Sequence, residues 1–268
     1  LAVRYSDAPT HPNIKKDSAI LRSMLGRGSC RSFLDKDVPI PLLDLLCAAA
    51  LASPTKSELQ QRDIILLRAP EKRRALAALV AGQAWVGNAP MIAVFCGNNR
   101  RQRFLHDWHG VPFANDHLDA FFNAAADAAI ALGAFVTAAE AMGLGCCPIS
   151  AVRNEARAVS DLLNLPKHVF PFAGLAIGYP AEPPAIAKRL PFEVTRHVDT
   201  YHEDDLQAEI ASYDTERTTA QPYASQRFTA TFGQASEYGW STDKVRQYSA
   251  PERADFGAYV RAQGFCLD

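Results

Sequence analysis

The sequence predicts a globular chain of mixed helix and strand organised around one long apolar helix. Three observations carry that reading: short apolar runs bounded by chain breakers, helical patterns introduced by proline, and an alanine-rich segment over residues 118–142. Of 268 residues, 48% are apolar and 21% charged, close to the average for folded soluble chains, which argues against disorder and fibrous repeats. The length allows one large domain or two. Lys plus Arg number 28 against 29 Asp plus Glu, a net charge of −1. No overall field is available to hold a polyanion or an anionic membrane, so neither partner is expected and any phosphate site must be local.

Along the chain, the opening LAVRYSDAPTHPNIKKD has no apolar stretch of the secretory kind, so no export signal is expected. Residues 40–52 form a helix introduced by Pro39 and Pro41, and a polar break follows, Ser53-Pro54-Thr55-Lys56-Ser57 with Gln60. Residues 64–67 fit a buried strand before Ala69-Pro70, residues 71–81 a helix, and residues 91–96 a second buried strand after Pro90. Residues 97–117 are a long polar connection studded with aromatics, the length expected of a lid or binding loop.

Residues 118–142 then form a helix of roughly 37 Å, capped by Asn115 or Asp116 and closed by Gly143. Asn123, Asp127 and Glu140 interrupt it, which argues against a membrane span. Its apolar residues occupy nearly every face, so it needs cover on all sides, more than one protomer of this size supplies, and suggests a dimer core. A helix over residues 154–163 and a strand over 172–177 follow, and from Asp199 the chain turns polar and turn-rich, an arm or cover. The six cysteines form no CxxC pair, and Cys47 and Cys96 lie in apolar runs, which indicates a reduced, cytosolic chain.

Four segments concentrate chemistry. Arg27-Gly28-Ser29-Cys30-Arg31-Ser32-Phe33 sets two guanidinium groups four residues apart around small residues, an arrangement suited to clamping an anion. Residues 53–57 with Gln60 gather hydroxyl, amide and ammonium groups between helix and strand. Gly143-Leu144-Gly145-Cys146-Cys147-Pro148-Ile149-Ser150 offers small residues against which a flat ring can lie. Lys188-Arg189, in a proline-rich loop, is a second source of positive charge.

In that order, and with Gly82-Gln83, Val152-Arg153-Asn154 and Gly174-Leu175-Ala176-Ile177-Gly178-Tyr179-Pro180 between them, these segments resemble the nitroreductase family of flavoproteins, most closely its NADPH-preferring, oxygen-insensitive branch. The resemblance covers about residues 20–195 and weakens beyond 200. It implies an α+β, three-layer fold with a central, mostly antiparallel sheet flanked by helices, in an intertwined homodimer with the long helix at the interface. With the change of composition at Asp199, an FMN-binding core is expected over residues 1–198, with residues 199–268 as an extension covering the core or the partner protomer.

By the same resemblance the cofactor is non-covalent FMN and the reductant NADPH or NADH, with hydride passing through flavin N5 in a ping-pong cycle to nitroaromatics, quinones or similar flat acceptors. Arg27, Gly28, Ser29 and Arg31 would hold the phosphate and ribityl chain, completed by Lys188 or Arg189. Pro54, Thr55, Lys56, Ser57, Gln60 and Gln83 would meet the ring edge or ribityl hydroxyls, and Pro148, Ile149, Ser150 and Ala151 would flank the ring. No catalytic side chain is implied, because the flavin carries the chemistry. Two departures stand out: Gly28 occupies a position where the branch often has Arg, and Lys188 and Arg189 are adjacent where relatives separate the two cations by one residue.

Other readings compete. His106, Asp107, His109 and His117 share a segment, but their spacing is too loose for a metal site, and none is expected. Vicinal Cys146-Cys147 reads as packing before redox chemistry. Trp108, Phe113 and Phe228, with Phe232, are candidates for stacking on a flat substrate or for packing a lid, and Arg227 is a candidate for the NADPH phosphate. A dedicated flavin reductase, dehalogenase or biosynthetic redox enzyme on the same fold, or a flavin-binding protein without turnover, are the alternatives to a nitroreductase.

Overall fold

The structure is a computed structural model that describes residues 4–5, 19–80 and 83–268. Most of the N-terminal segment, the expected helix end at Ala81, and Gly82 of the Gly-Gln pair lie outside the described residues. In chain order the helices are α1 (Ala19–Gly26), α2 (Ile40–Leu51), α3 (Pro70–Leu79), α4 (Arg100–His109), α5 (Leu118–Ala141), α6 (Ala156–Leu163), α7 (Phe192–Thr195), α8 (Leu206–Ala220), α9 (Thr229–Phe232), α10 (Trp240–Tyr248) and α11 (Phe256–Ala262). The strands are β1 (Arg62–Leu67), β2 (Met91–Asn98), β3 (Gly145–Ile149) and β4 (Val169–Gly178). The chain divides into two compact units, residues 27–184 with 253–268, and residues 1–26 with 185–252.

The first unit is a three-layer α+β body. Its four strands pair antiparallel in the order β1-β2-β4-β3. All eight residues of β2 are buried, as expected for a strand covered on both faces. On one face Leu43 and Leu46 of α2 and Phe135 of α5 pack against Phe95, Leu175 and Ile177. Phe95 and Phe135 meet edge to face at 5.7 Å. On the other face Leu76 of α3 and Val159 of α6 cover Ile92, Val94 and Ala176. The last residues of the chain belong to this body, with Tyr259, Val260 and Phe265 packed on Phe170 and Ala124. Gly97 is required here, because a Cβ at that position would collide with the Phe170 ring.

Helix α5 is long and apolar enough to cross a membrane by length and composition. Here Ala124, Ala128, Ala131, Phe135 and Ala139 are buried in the cores just described. His117 is its N-cap, the imidazole accepting from the Asp119 N–H at 3.3 Å, and not Asn115 or Asp116; Asp116 is instead paired with Arg103 at the end of its side chain. Gly143 closes the helix with φ +80°, as the sequence suggests.

Two expectations change. The connection over residues 97–117 contains a ten-residue helix, α4, ended by Gly110 at φ +65°. Gly145–Ile149 is an edge strand of the sheet and not a bare turn. Its Pro148 sits on an edge strand, where a missing N–H is tolerated.

The second unit is held by polar contacts. Asp243 of α10 is buried and accepts from the Arg227 and Lys244 side chains and the Tyr238 hydroxyl at 2.7–3.0 Å. Buried Arg246 donates to the Arg227 and Gly233 carbonyls at 3.0 Å and faces the Phe232 and Tyr238 rings.

Candidate functional site

The Arg27–Phe33 segment is held against the first unit's sheet by backbone bonds. The Cys30 N–H donates to the Cys146 carbonyl at 3.0 Å, Leu34 to Tyr179 at 2.9 Å, and Ala181 to Ser32 at 3.0 Å. Gly145 permits this approach, since a Cβ there would lie 2.5 Å from the Cys30 sulfur. Gly28 is buried, Ser29 half-buried and Arg31 exposed. The two guanidinium groups have different fates. Arg27 Nε lies 3.1 Å from each carboxylate oxygen of Glu140, at the end of α5. Arg31 makes no ion pair among the described residues and lies 5.8 Å from the Trp85 ring centroid.

That contact brings in the neighbourhood of Gln83, which precedes the turn Ala84–Asn88 carrying Trp85. The end of β3 joins the same region. Burial pushes the Cys147 thiol up, while the charge of Arg31 and the Ser29 hydroxyl pull it the other way. Beyond Cys147, Pro148 and Ser150 are exposed while Ile149 and Ala151 turn into the core, which leaves an alternating rim. Residues 27–31, 83–85 and 147–151 therefore converge on one edge of the sheet.

The other expected group stands elsewhere. Pro54, Lys56, Ser57 and Gln60 are exposed and Thr55 half-buried, on a loop between α2 and β1. Ser57, Glu58 and Gln60 have φ of 47°, 61° and 52°, a conformation that costs non-glycine residues about 1–3 kcal/mol each. Asp127 of α5 holds the loop's two ends, its oxygens accepting from the Lys56 N–H at 2.9 Å and the Gln61 N–H at 2.8 Å. Lys56 and Ser57 also line a 290 Å³ cavity with Gln61, Asn99, His106 and Phe113. Trp108 is 70% exposed on α4 and does not line it.

This loop enters β1, whereas the Arg31 group belongs to β3 at the opposite edge of the sheet. Three strand spacings make about 14 Å across. Arg62 is level with Gly97, whereas Cys146, through Ile177, is level with Met91 and Ile149, through Gly174, with Val94, so the two groups are also displaced by about 10–20 Å along the strands. One protomer does not bring them together.

The remaining candidates lie in the second unit. The Lys188 ammonium donates to Glu216 at 3.0 Å, and the Arg189 backbone N–H donates to the Arg4 carbonyl at 2.9 Å. Both line a 360 Å³ cavity with Tyr5, Tyr213 and Trp240. Arg227 is paired with Asp243, and Phe228 begins α9 at φ 48° with its ring half-exposed.

Trp85, Asp127 and Glu140 take part in this arrangement without having been marked as site residues. Asp127 and Glu140 did leave a signal, as isolated carboxylates inside an apolar helix; nothing in the sequence pointed from them to residues 56, 61 and 27.

A model of the nitroreductase family matches residues 24–179, and a model of the nitroreductase family's C-terminal domain matches residues 188–268. The chain belongs to the nitroreductase family. It is similar to a Bacillus subtilis protein named FMN reductase [NAD(P)H], 37% identical over 73% of this chain and 80% of that one. An oxygen-insensitive NADPH nitroreductase of Salmonella typhimurium is 34% identical over 74% of this chain and 80% of its own length. Among solved structures, B. megaterium NfrA2 superposes with a TM-score of 0.86 at 30% identity, covering 94% of this chain and all of that one. This nitroreductase is thus an oxidoreductase with the α+β fold of its relatives.

Proposed function

We propose that this nitroreductase transfers electrons from NAD(P)H to flat acceptors such as nitroaromatics and quinones, in a soluble, cytoplasmic homodimer whose flavin sites are completed across the interface. The cofactor is FMN and the reductant NAD(P)H. When bound, FMN would supply the chemistry of hydride and electron transfer between nicotinamide and acceptor.

The residues at the β3 edge fit the cofactor. An FMN phosphate carries nearly two negative charges, and on a chain of net charge −1 it needs a local cation. Arg31 is exposed, makes no ion pair among the described residues, and is flanked by the Ser29 hydroxyl, all suited to that group. Arg27, held by Glu140, is suited to fixing the segment's shape. Ser150 and Pro148 offer the exposed rim against which a ring can lie, and Gln83 an amide near Trp85.

The observation that carries the dimer is the separation of the two groups. Thr55, Lys56 and Ser57 stand at the β1 edge and Arg31 at the β3 edge, so a flavin touched by both requires residues of two protomers. Exposed Leu45, Phe122 and Ile130 on α2 and α5 support the same reading, since two apolar helices with uncovered faces favour burial against a second copy.

Steady-state turnover of the FMN-loaded protein with NADPH, NADH and a panel of nitroaromatic and quinone acceptors tests the reading. Parallel double-reciprocal plots are expected, because nicotinamide and acceptor use the pocket in turn. Bound FMN that oxidises neither nicotinamide would instead mark a flavin-binding protein without turnover.

A further inference from the structure

Asp127 is a carboxylate 1% exposed in the middle of a helix whose neighbouring buried positions are alanine. A buried charge is unfavourable unless it is hydrogen-bonded, and in an all-apolar core an alanine or leucine would be the stabilising choice. Its two oxygens accept from two backbone N–H groups that bracket the loop, Lys56 and Gln61. Between those ends run the three left-handed residues Ser57, Glu58 and Gln60.

Arg62 holds the same loop at its other approach. The residue is 4% exposed, and its Nη2 donates to the Leu51 carbonyl at 2.6 Å and the Ser53 carbonyl at 3.1 Å. Nε and Nη1 are buried with no hydrogen-bond partner among the described residues. Burial pushes this guanidinium's pKa down, and the nearby Asp127 charge pushes it part of the way back up. A plain connection between α2 and β1 requires neither buried charge nor strained backbone; a loop held in one unfavourable shape does.

We propose that Asp127 is a positioning residue of the flavin pocket: its carboxylate, with Arg62 as a second clasp, fixes the loop in the shape that presents Thr55, Lys56 and Ser57 to the cofactor. This rests on the flavin reading of that loop given above. The charge matters as well as the shape, because an amide at position 127 offers one acceptor oxygen and turns an NH2 group toward the second backbone N–H. Both residues are buried beneath the loop and act through it.

The test measures FMN affinity by fluorescence quenching, the absorption spectrum of bound flavin, and thermal stability, for the unsubstituted protein, Asp127→Asn and Arg62→Lys. Ser160→Ala serves as a control, since it removes the 2.6 Å Ser160–Tyr259 contact, a buried polar pair of the same unit that is separate from the loop. Asp127→Asn is expected to weaken FMN binding about ten- to a hundred-fold and to shift the bound spectrum toward that of free FMN. Arg62→Lys is expected to do the same to a smaller degree, while Ser160→Ala leaves affinity and spectrum unchanged even where it lowers the melting temperature as much. Unaltered affinity and spectrum in Asp127→Asn, or equal loss of FMN in Ser160→Ala at matched stability, overturns the inference. If Asp127→Asn does not fold, Arg62→Lys decides on the same criterion. An unsubstituted protein that takes no FMN overturns the flavin reading and this inference together, whereas wild-type affinity in both loop variants overturns this inference alone.

Discussion

Arg27 grips Glu140 with both carboxylate oxygens 3.1 Å from its Nε, and this pair ties the start of the Arg27–Phe33 segment to the last turn of α5. Both side chains are partly screened from solvent, 25% and 11% exposed. The pair therefore serves the segment's shape. Arg27→Ala is expected to lower stability by about 1 kcal/mol, discounted for its partial exposure, and to weaken FMN binding less than the loss of Arg31 does. Paired melting curves and FMN titrations check this ordering.

Arg31 carries the expectation for the cofactor. Removing a charge-assisted contact to a phosphate is worth about 1.5–3 kcal/mol, so Arg31→Ala should weaken FMN binding by about ten- to a hundred-fold. Arg31→Lys should recover part of this, since it restores the charge but not the two-pronged geometry. Dilution and gel filtration of each variant, with flavin counted by absorbance, supply the measurement. Full retention in Arg31→Ala would remove it from the phosphate site.

The second unit should be acid-sensitive through Asp243. Burial acts to raise its pKa, but hydrogen bonds from Lys244 and Tyr238 and the charges of Lys244 and Arg227 outweigh that and hold the carboxyl below the usual range. A depressed folded-state pKa contributes stability that is complete above the unfolded carboxylate pKa and is lost as pH falls through the folded one. The melting temperature should thus drop as pH falls below about 4, the unfolded Asp value. Asp243→Asn should be less stable at neutral pH and show a flatter acid limb.

The six thiols divide by burial. Cys30, Cys96, Cys146 and Cys147 are buried, and Cys47 and Cys266 are half-buried. Burial raises the thiol pKa of the four buried cysteines and of half-buried Cys47, most strongly for Cys96 and Cys146, so the four that are also shielded from reagent stay unreactive at mildly alkaline pH. A disulfide reagent should modify Cys47 and Cys266 first in the native protein and all six after unfolding. Fast modification of Cys146 would contradict the packing of β3.

What the sequence disclosed follows from which forces are local. Strands β1, β2 and β4 each contain an apolar run written in adjacent residues, 64–67, 91–96 and 172–177, although β1 opens on Arg62-Asp63 and β4 extends back through Pro171 to Val169. β3 reads Gly-Cys-Cys-Pro-Ile, with glycine and proline at odds with strand propensity, and exists because β4 offers it a pairing edge. Helix α4, RRQRFLHDWH, buries none of its residues and so shows no apolar periodicity. For the site, Arg31, Ser29 and Pro148 lie in short segments that reveal themselves by residue type. The Asp127 clasp joins residues 71 and 66 positions apart, and a link of that kind exists in folded space alone.

The most direct test of the account is the absorption spectrum of the purified protein, recorded before and after anaerobic addition of NADPH and, separately, NADH. The account predicts flavin bands, present as isolated or after loading with FMN, that bleach with at least one of the two nicotinamides. A colourless protein that also ignores added FMN would contradict it.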